Sequence, residues 1–246
     1  SQSVLWRELQ RDYAVVDVAS MVFTDQFGCW GFLDLWRIDP AMAFDDGDAT
    51  RLQSVAASIT SGLRASQALT FTNPPPSARD GLGPMVLLLD NDLCVHGQTE
   101  ATAAWLEVLL PAAAGGQPIP AAAYNVAAQL IAVEHGVDDN PPSARVHLAG
   151  GLWVTLRAAR LDTDSIAVTI EETTAADRLE LFCACFGLSA RETELVGHLA
   201  GGGSTRELAA RMFVSEHTVQ DHLKSIFAKT SAHNRRSLLS RAMGTS

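Results

Sequence analysis

Lysine is nearly missing from this sequence: Lys224 and Lys229 are the only two, and both lie close to the end. The chain carries 28 acidic residues against 18 basic ones, and its net charge of −10 argues against a protein that binds nucleic acid over its whole surface. Long apolar runs are absent too, so no segment reads as a membrane-spanning helix. Residues 1–11 lack the basic-then-apolar order of a secretory signal, which leaves a cytoplasmic location as the expectation. Cysteine is sparse. Cys29, Cys94, Cys183 and Cys185 are scattered apart from one Cys-x-Cys pair, whose side chains diverge on a helix and match no common zinc spacing. Reduced thiols are expected, with no metal centre and no identifiable cofactor. Neither a phosphate-binding loop nor a Gly-x-Ser-x-Gly nucleophile elbow occurs.

What is present is a globular composition, 47% apolar and 19% charged, in a chain of 246 residues that has room for two or three compact units. Charge is divided by region. From Phe186 onward eight basic residues stand against five acidic ones, a net of +3, and the rest of the chain carries −13. An acidic portion joined to a basic one is the pattern of a sensor attached to a nucleic-acid binder.

Along residues 17–37 the pattern reads as two strands around the turn-prone Asp25-Gln26-Phe27-Gly28, with Ala19, Met21 and Phe23 alternating onto one face. Asp45-Asp46-Gly47-Asp48 then caps a helix on which Leu52, Val55, Ala56, Ile59 and Leu63 recur at helical spacing. Residues 1–66 resemble the second half of a GAF domain, without its first half. Half a sheet leaves apolar surface uncovered, which implies a longer natural start or a partner. Successive prolines at Pro74, Pro75 and Pro76 mark residues 67–82 as a linker.

Residues 83–174 read as strands at 85–89 and 93–96, helices at 100–110 and 121–134, and strands at 144–148, 152–158 and 166–170. Two strands, helices and three strands in that order resemble a PAS domain, and the resemblance implies a site for a small molecule of unknown identity. Residues 175–187 read as a connecting helix with Leu179, Phe182, Cys183 and Phe186 on one stripe. That stripe either packs back on the sheet or pairs two copies of the chain.

The last segment, 188–246, carries the most regular signal. Ser189-Ala190-Arg191-Glu192 and Ser204-Thr205-Arg206-Glu207 are capping boxes, and Ser215-Glu216-His217-Thr218 is a third helix start with threonine in the glutamate's place. Four helices follow, at 190–199, 205–212, 216–229 and 234–242, and Gly201-Gly202-Gly203 breaks the first from the second. Leu195, Val196, Leu199, Leu208, Ala209, Met212, Val219, Leu223, Ile226, Phe227, Leu238 and Leu239 supply one core. The other side of the third helix presents His217, Gln220, Asp221, Lys224 and Ala228.

These residues resemble the LuxR/FixJ-type helix-turn-helix of bacterial transcription regulators, from Leu188-Ser189-Ala190-Arg191-Glu192 through Ser215-Glu216-His217-Thr218-Val219-Gln220-Asp221-His222 to Arg235. The resemblance implies a multidomain fold, with an α+β sensory region, partly GAF-like and PAS-like, before an all-α four-helix DNA-binding domain. It implies that Gln220, Asp221 and Lys224 face bases, while Arg206, Thr218, Lys229 and Arg235 contact phosphate. Double-stranded DNA, a second copy of the chain and RNA polymerase are the partners it implies, with no membrane role. The family often has lysine where Gln220 stands. Glutamine pairs with adenine and aspartate accepts from cytosine, so both remain usable readers.

Two rivals follow from the same residues. One is an enzyme, with Cys94 and His96 on one strand face or Asp90 and Asp92 as its chemistry, although buried thiols and turn-forming aspartates explain these more simply. The other is a PAS-like sensor or interaction protein whose helix-turn-helix no longer binds DNA, a reading fed by the glycine triplet, Gln220 and Asp221.

Overall fold

A computed structural model describes residues 13–38, 43–72, 85–109, 121–147 and 152–244. The chain divides into two compact units, one of Ser1–Leu69 with Cys183–Ser189, the other of Thr70–Phe182 with Ala190–Ser246. The proline run at 74–76, the helix end at 110–111 and residue 148 lie outside the described residues.

In the first unit, β1 (Asp17–Asp25) and β2 (Gly28–Arg37) form an antiparallel hairpin through Gln26 and Phe27, as the turn residues predict. Asp25 closes the turn: its Oδ1 accepts from Phe27 N and Trp30 Nε1, both at 2.9 Å, and its Oδ2 pairs with Arg64 at 3.0 Å. Those donors hold its carboxyl below the usual range despite the opposing effect of burial. Helix α1 (Asp46–Leu69) starts at Asp45, whose Oδ1 accepts from Asp48 N at 2.8 Å. Gly31 lies opposite Phe23 in the hairpin, and a methyl added to it would come within 3.3 Å of Leu63, so the absent side chain lets α1 lie close.

The expected stripe on α1 is only partly buried. Leu52, Ala56, Thr60 and Leu63 turn inward, whereas Val55 and Ile59 stay exposed. Two strands about 4.8 Å apart make too narrow a ribbon to cover a stripe roughly 100° wide. A groove of about 350 Å³ runs between β1 and the start of α1, lined by Ala19, Met21, Phe44, Leu52 and Ala56 among others.

The second unit holds a five-stranded antiparallel sheet in the order β4-β3-β7-β6-β5, from β3 (Met85–Asp90), β4 (Val95–Gln98), β5 (Ser143–His147), β6 (Trp153–Arg160) and β7 (Ser165–Glu172). Helices α2 (Glu100–Leu109) and α3 (Ala121–Glu134) come between β4 and β5. Leu87, Leu89, Val154, Leu156, Ile166, Val168 and Ile170 share a core with Leu106, Ala123, Val126 and Ala127. Alternation along three adjacent strands puts these side chains on the helix-covered face.

Strand β4 begins two residues later than its pattern suggests. Asp90 Oδ1 accepts from both Asp92 N and Cys94 N, and Leu93 adopts φ +61, so the turn consumes Leu93 and Cys94. Cys94 therefore does not share a strand face with His96, and both are exposed. No group of three or more His, Cys, Asp or Glu side chains placed to hold a metal occurs among the described residues. No described helix is long and apolar enough to cross a membrane.

Helix α4 (Ala175–Cys185) lies beside the sheet, where Asp177 pairs with Arg145 of β5 at 2.7 Å. Phe182 meets Phe71 edge-on, and Phe71 stacks on Trp153 of β6. The four remaining helices are α5 (Ala190–Ala200), α6 (Thr205–Met212), α7 (Glu216–Thr230) and α8 (Arg235–Met243), within a residue or two of the boundaries read from capping.

Candidate nucleic-acid interface

Two well-capped helices build the interface. Ser204 Oγ accepts from Glu207 N at 3.3 Å and Glu207 Oε2 accepts from Ser204 N at 2.7 Å, a complete capping box that starts α6. The Ser204 backbone N–H holds the Glu207 carboxyl below the ordinary glutamate range. Helix α6 ends at Phe213, which takes the left-handed conformation at φ 56 and is 95% exposed. Two residues on, Ser215 caps α7 by accepting from Thr218 N at 3.1 Å. The threonine at the box's fourth position bonds back through its hydroxyl, 2.8 Å from Ser215 Oγ.

A single core holds α7 in place. Leu195, Val196, Leu199, Leu208, Ala209, Met212, Val219, Leu223, Ile226 and Leu238 are buried, while Phe227 and Leu239 are half-buried at its rim. Burying Val219, Leu223 and Ile226 at i, i+4 and i+7 turns the opposite side of α7 outward. His217, Gln220, Asp221, Lys224 and Ala228 are all exposed there.

Of the residues expected at phosphates, Arg206 is exposed on α6, and Thr218 is half-buried at the start of α7. Arg235 is tethered, donating to Thr205 Oγ1 at 2.8 Å and to Gly203 O at 3.5 Å. Lys229 is held by another partner: its Nζ lies 2.7 Å from Glu192 Oε2. Glu192, read from sequence as the returning glutamate of a capping box, is buried and also accepts from Ser225 Oγ at 2.6 Å. Spacing could not reveal this arrangement, because Glu192 meets Ser225 and Lys229 only when α5 packs on α7. Sequence reasoning also placed His217 on the outward face without a role, although it approaches Asp221 at 3.5 Å.

A shorter capped helix, a tight left-handed turn and a longer helix with a free polar side form a helix-turn-helix of the DNA-binding class. Residues 187–242 match the family described as bacterial regulatory proteins, luxR family, and the C-terminal domain is a LuxR-type helix-turn-helix that follows an α+β, sheet-containing region. The monoamine regulon transcriptional regulator of Klebsiella aerogenes is 44% identical over 54 residues, which are 22% of this chain and 24% of that one. The chain thus spans about a quarter of the length of this curated relative. Among solved structures, a Vibrio cholera VqmA–ligand–DNA complex is 17% identical over 66% of this chain and 82% of that one, with a TM-score of 0.27. A phage VqmA–DPO complex is 16% identical over 82% and 92%, with a TM-score of 0.24. Superpositions at this level leave the fold to stand on its own geometry.

Proposed function

We propose that the chain is a sequence-specific DNA-binding transcriptional regulator. In this reading the sensory region is a partial GAF-like segment (1–66), a linker (67–82) and a PAS-like domain (83–174). A connecting helix (175–187) joins it to the DNA-binding domain (188–246). A small molecule or protein partner bound by the sensory region alters how two basic heads are spaced, about 34 Å apart on the duplex, one helical turn. RNA polymerase is the further partner this role implies, and no catalytic chemistry is assigned.

The observation that carries the proposal is the outward side of α7, where Gln220, Asp221 and Lys224 are exposed above a fully packed core. These three are assigned to base edges, while Arg206, Thr218 and Arg235 are assigned to phosphates. Lys229 was expected to join them, and to do so it would have to leave the buried Glu192. Asp221 feeds the rival in which DNA binding has been lost, since an acid facing phosphates is repelled. The Lys224 ammonium 3.6 Å away offsets that charge and favours the DNA-binding reading.

Selection of duplexes from a random pool by the full chain tests the proposal. A defined motif, with affinity that falls steeply as salt rises, is the expected result. Lys224→Ala is expected to cost about 1–3 kcal/mol of specific binding. Binding that is absent at low salt would support the rival.

A further inference from the structure

His217, Asp221 and Lys224 stand at i, i+4 and i+7 on the outward side of α7, and so lie in one row along it. His217 Nε2 is 3.5 Å from Asp221 Oδ2, and Lys224 Nζ is 3.6 Å from Asp221 Oδ1. The carboxylate therefore has a donor on either side, each facing a different oxygen. The three side chains are 83%, 56% and 77% exposed. Helices α5 and α6 pack against the other side of α7, and among the described residues no ion pair reaches His217 from another element. Glu216 is the remaining charged group near it in sequence. Pairs this exposed contribute little to folding, so stability does not account for the row.

We propose that His217 is a further sequence-reading residue, and that the row His217–Asp221–Lys224 reads a major-groove edge in which an amino group lies between acceptors. The inference rests on the DNA-binding reading of α7. At about 1.5 Å per residue the row is roughly 10 Å long, which matches three steps of about 3.4 Å along one strand. Asp221 accepts from the amino group of cytosine or adenine. His217 and Lys224 donate to acceptors on the flanking pairs, of which guanine offers two, O6 and N7. A lone carboxylate in the groove would be repelled by the phosphates, and the Lys224 ammonium beside this one offsets its charge.

The test is selection from a random duplex pool, followed by affinity measurement on the selected duplex, with the full chain and its His217→Ala, His217→Lys and Asp221→Asn variants. The wild-type chain is expected to select a cytosine or adenine amino group flanked by guanine. His217→Ala should lose one flanking preference and bind about ten-fold more weakly, with the rest of the motif unchanged. His217→Lys should keep that preference, and Asp221→Asn should relax the central position. Circular dichroism checks that the variants fold. A wild-type motif selected unchanged by His217→Ala overturns the inference and leaves the regulator intact. A wild-type chain that selects nothing at any salt overturns the regulator as well.

Discussion

Glu192 has a side chain only 5% exposed, and Lys229 Nζ at 2.7 Å and Ser225 Oγ at 2.6 Å donate to it. Removing the ammonium leaves a carboxylate in a site that water barely reaches. Lys229→Ala is therefore expected to destabilise the C-terminal domain by about 3 kcal/mol, seen as a lower midpoint in urea unfolding. A variant that unfolds like the wild type but binds all DNA more weakly would return Lys229 to the phosphate contacts. His147 of β5 makes a prediction in the opposite part of the chain. Burial, and then the nearby Arg178 guanidinium, push its pKa down. The unfolded chain thus takes up a proton at a pH where the folded one resists it, and stability falls as pH drops below the ordinary histidine range. His147→Gln should flatten that decline in a series of thermal melts between about pH 7 and pH 5.

At the scale of the element, the ends of α6 decide how the helix-turn-helix is set. Ser204→Ala removes one side of a complete capping box and is expected to cost about 1 kcal/mol. Acid should act on the same cap, because the depressed Glu207 carboxyl contributes stability above the ordinary glutamate range and loses it as pH falls through its lower folded-state value. The other end carries strain. A phenylalanine at φ 56 with 95% of its surface exposed has left-handed backbone and almost no packing to offset it. Phe213→Gly is expected to raise stability by about 1 kcal/mol in chemical denaturation. A loss instead would show that the ring holds the turn. The helices themselves were legible from capping residues and periodicity, since both signals are local. The start of β4 was not, because two amides bonding to Asp90 Oδ1 extend a turn that alternation alone ends sooner.

On the scale of the molecule, Arg241 of α8 reaches beyond its own helix. Its Nε donates to Phe71 O at 3.2 Å and its Nη1 to Thr230 O at 2.6 Å, so one guanidinium ties the residue that stacks on Trp153 to the last turn of α7. A helix C-terminus carries unsatisfied carbonyls and favours a cation beside it. Arg241→Ala should speed hydrogen exchange in the last turn of α7 well beyond the change at its N-terminal cap. Uniform exchange along α7 in the variant would mean that the tie carries no local stability.

Sequence by itself determined the order of elements, the four C-terminal helices and the outward side of α7, because capping and periodicity depend on residues within a few positions of one another. It also determined the split between an acidic majority and a basic end, a property of composition. Only the tertiary structure decided that Glu192 is a buried anchor for Lys229, that Arg235 is tethered to Thr205, and that Val55 and Ile59 remain exposed beside a two-stranded ribbon. Each of these depends on which distant helix or strand packs alongside, and spacing along the chain carries no record of that neighbour.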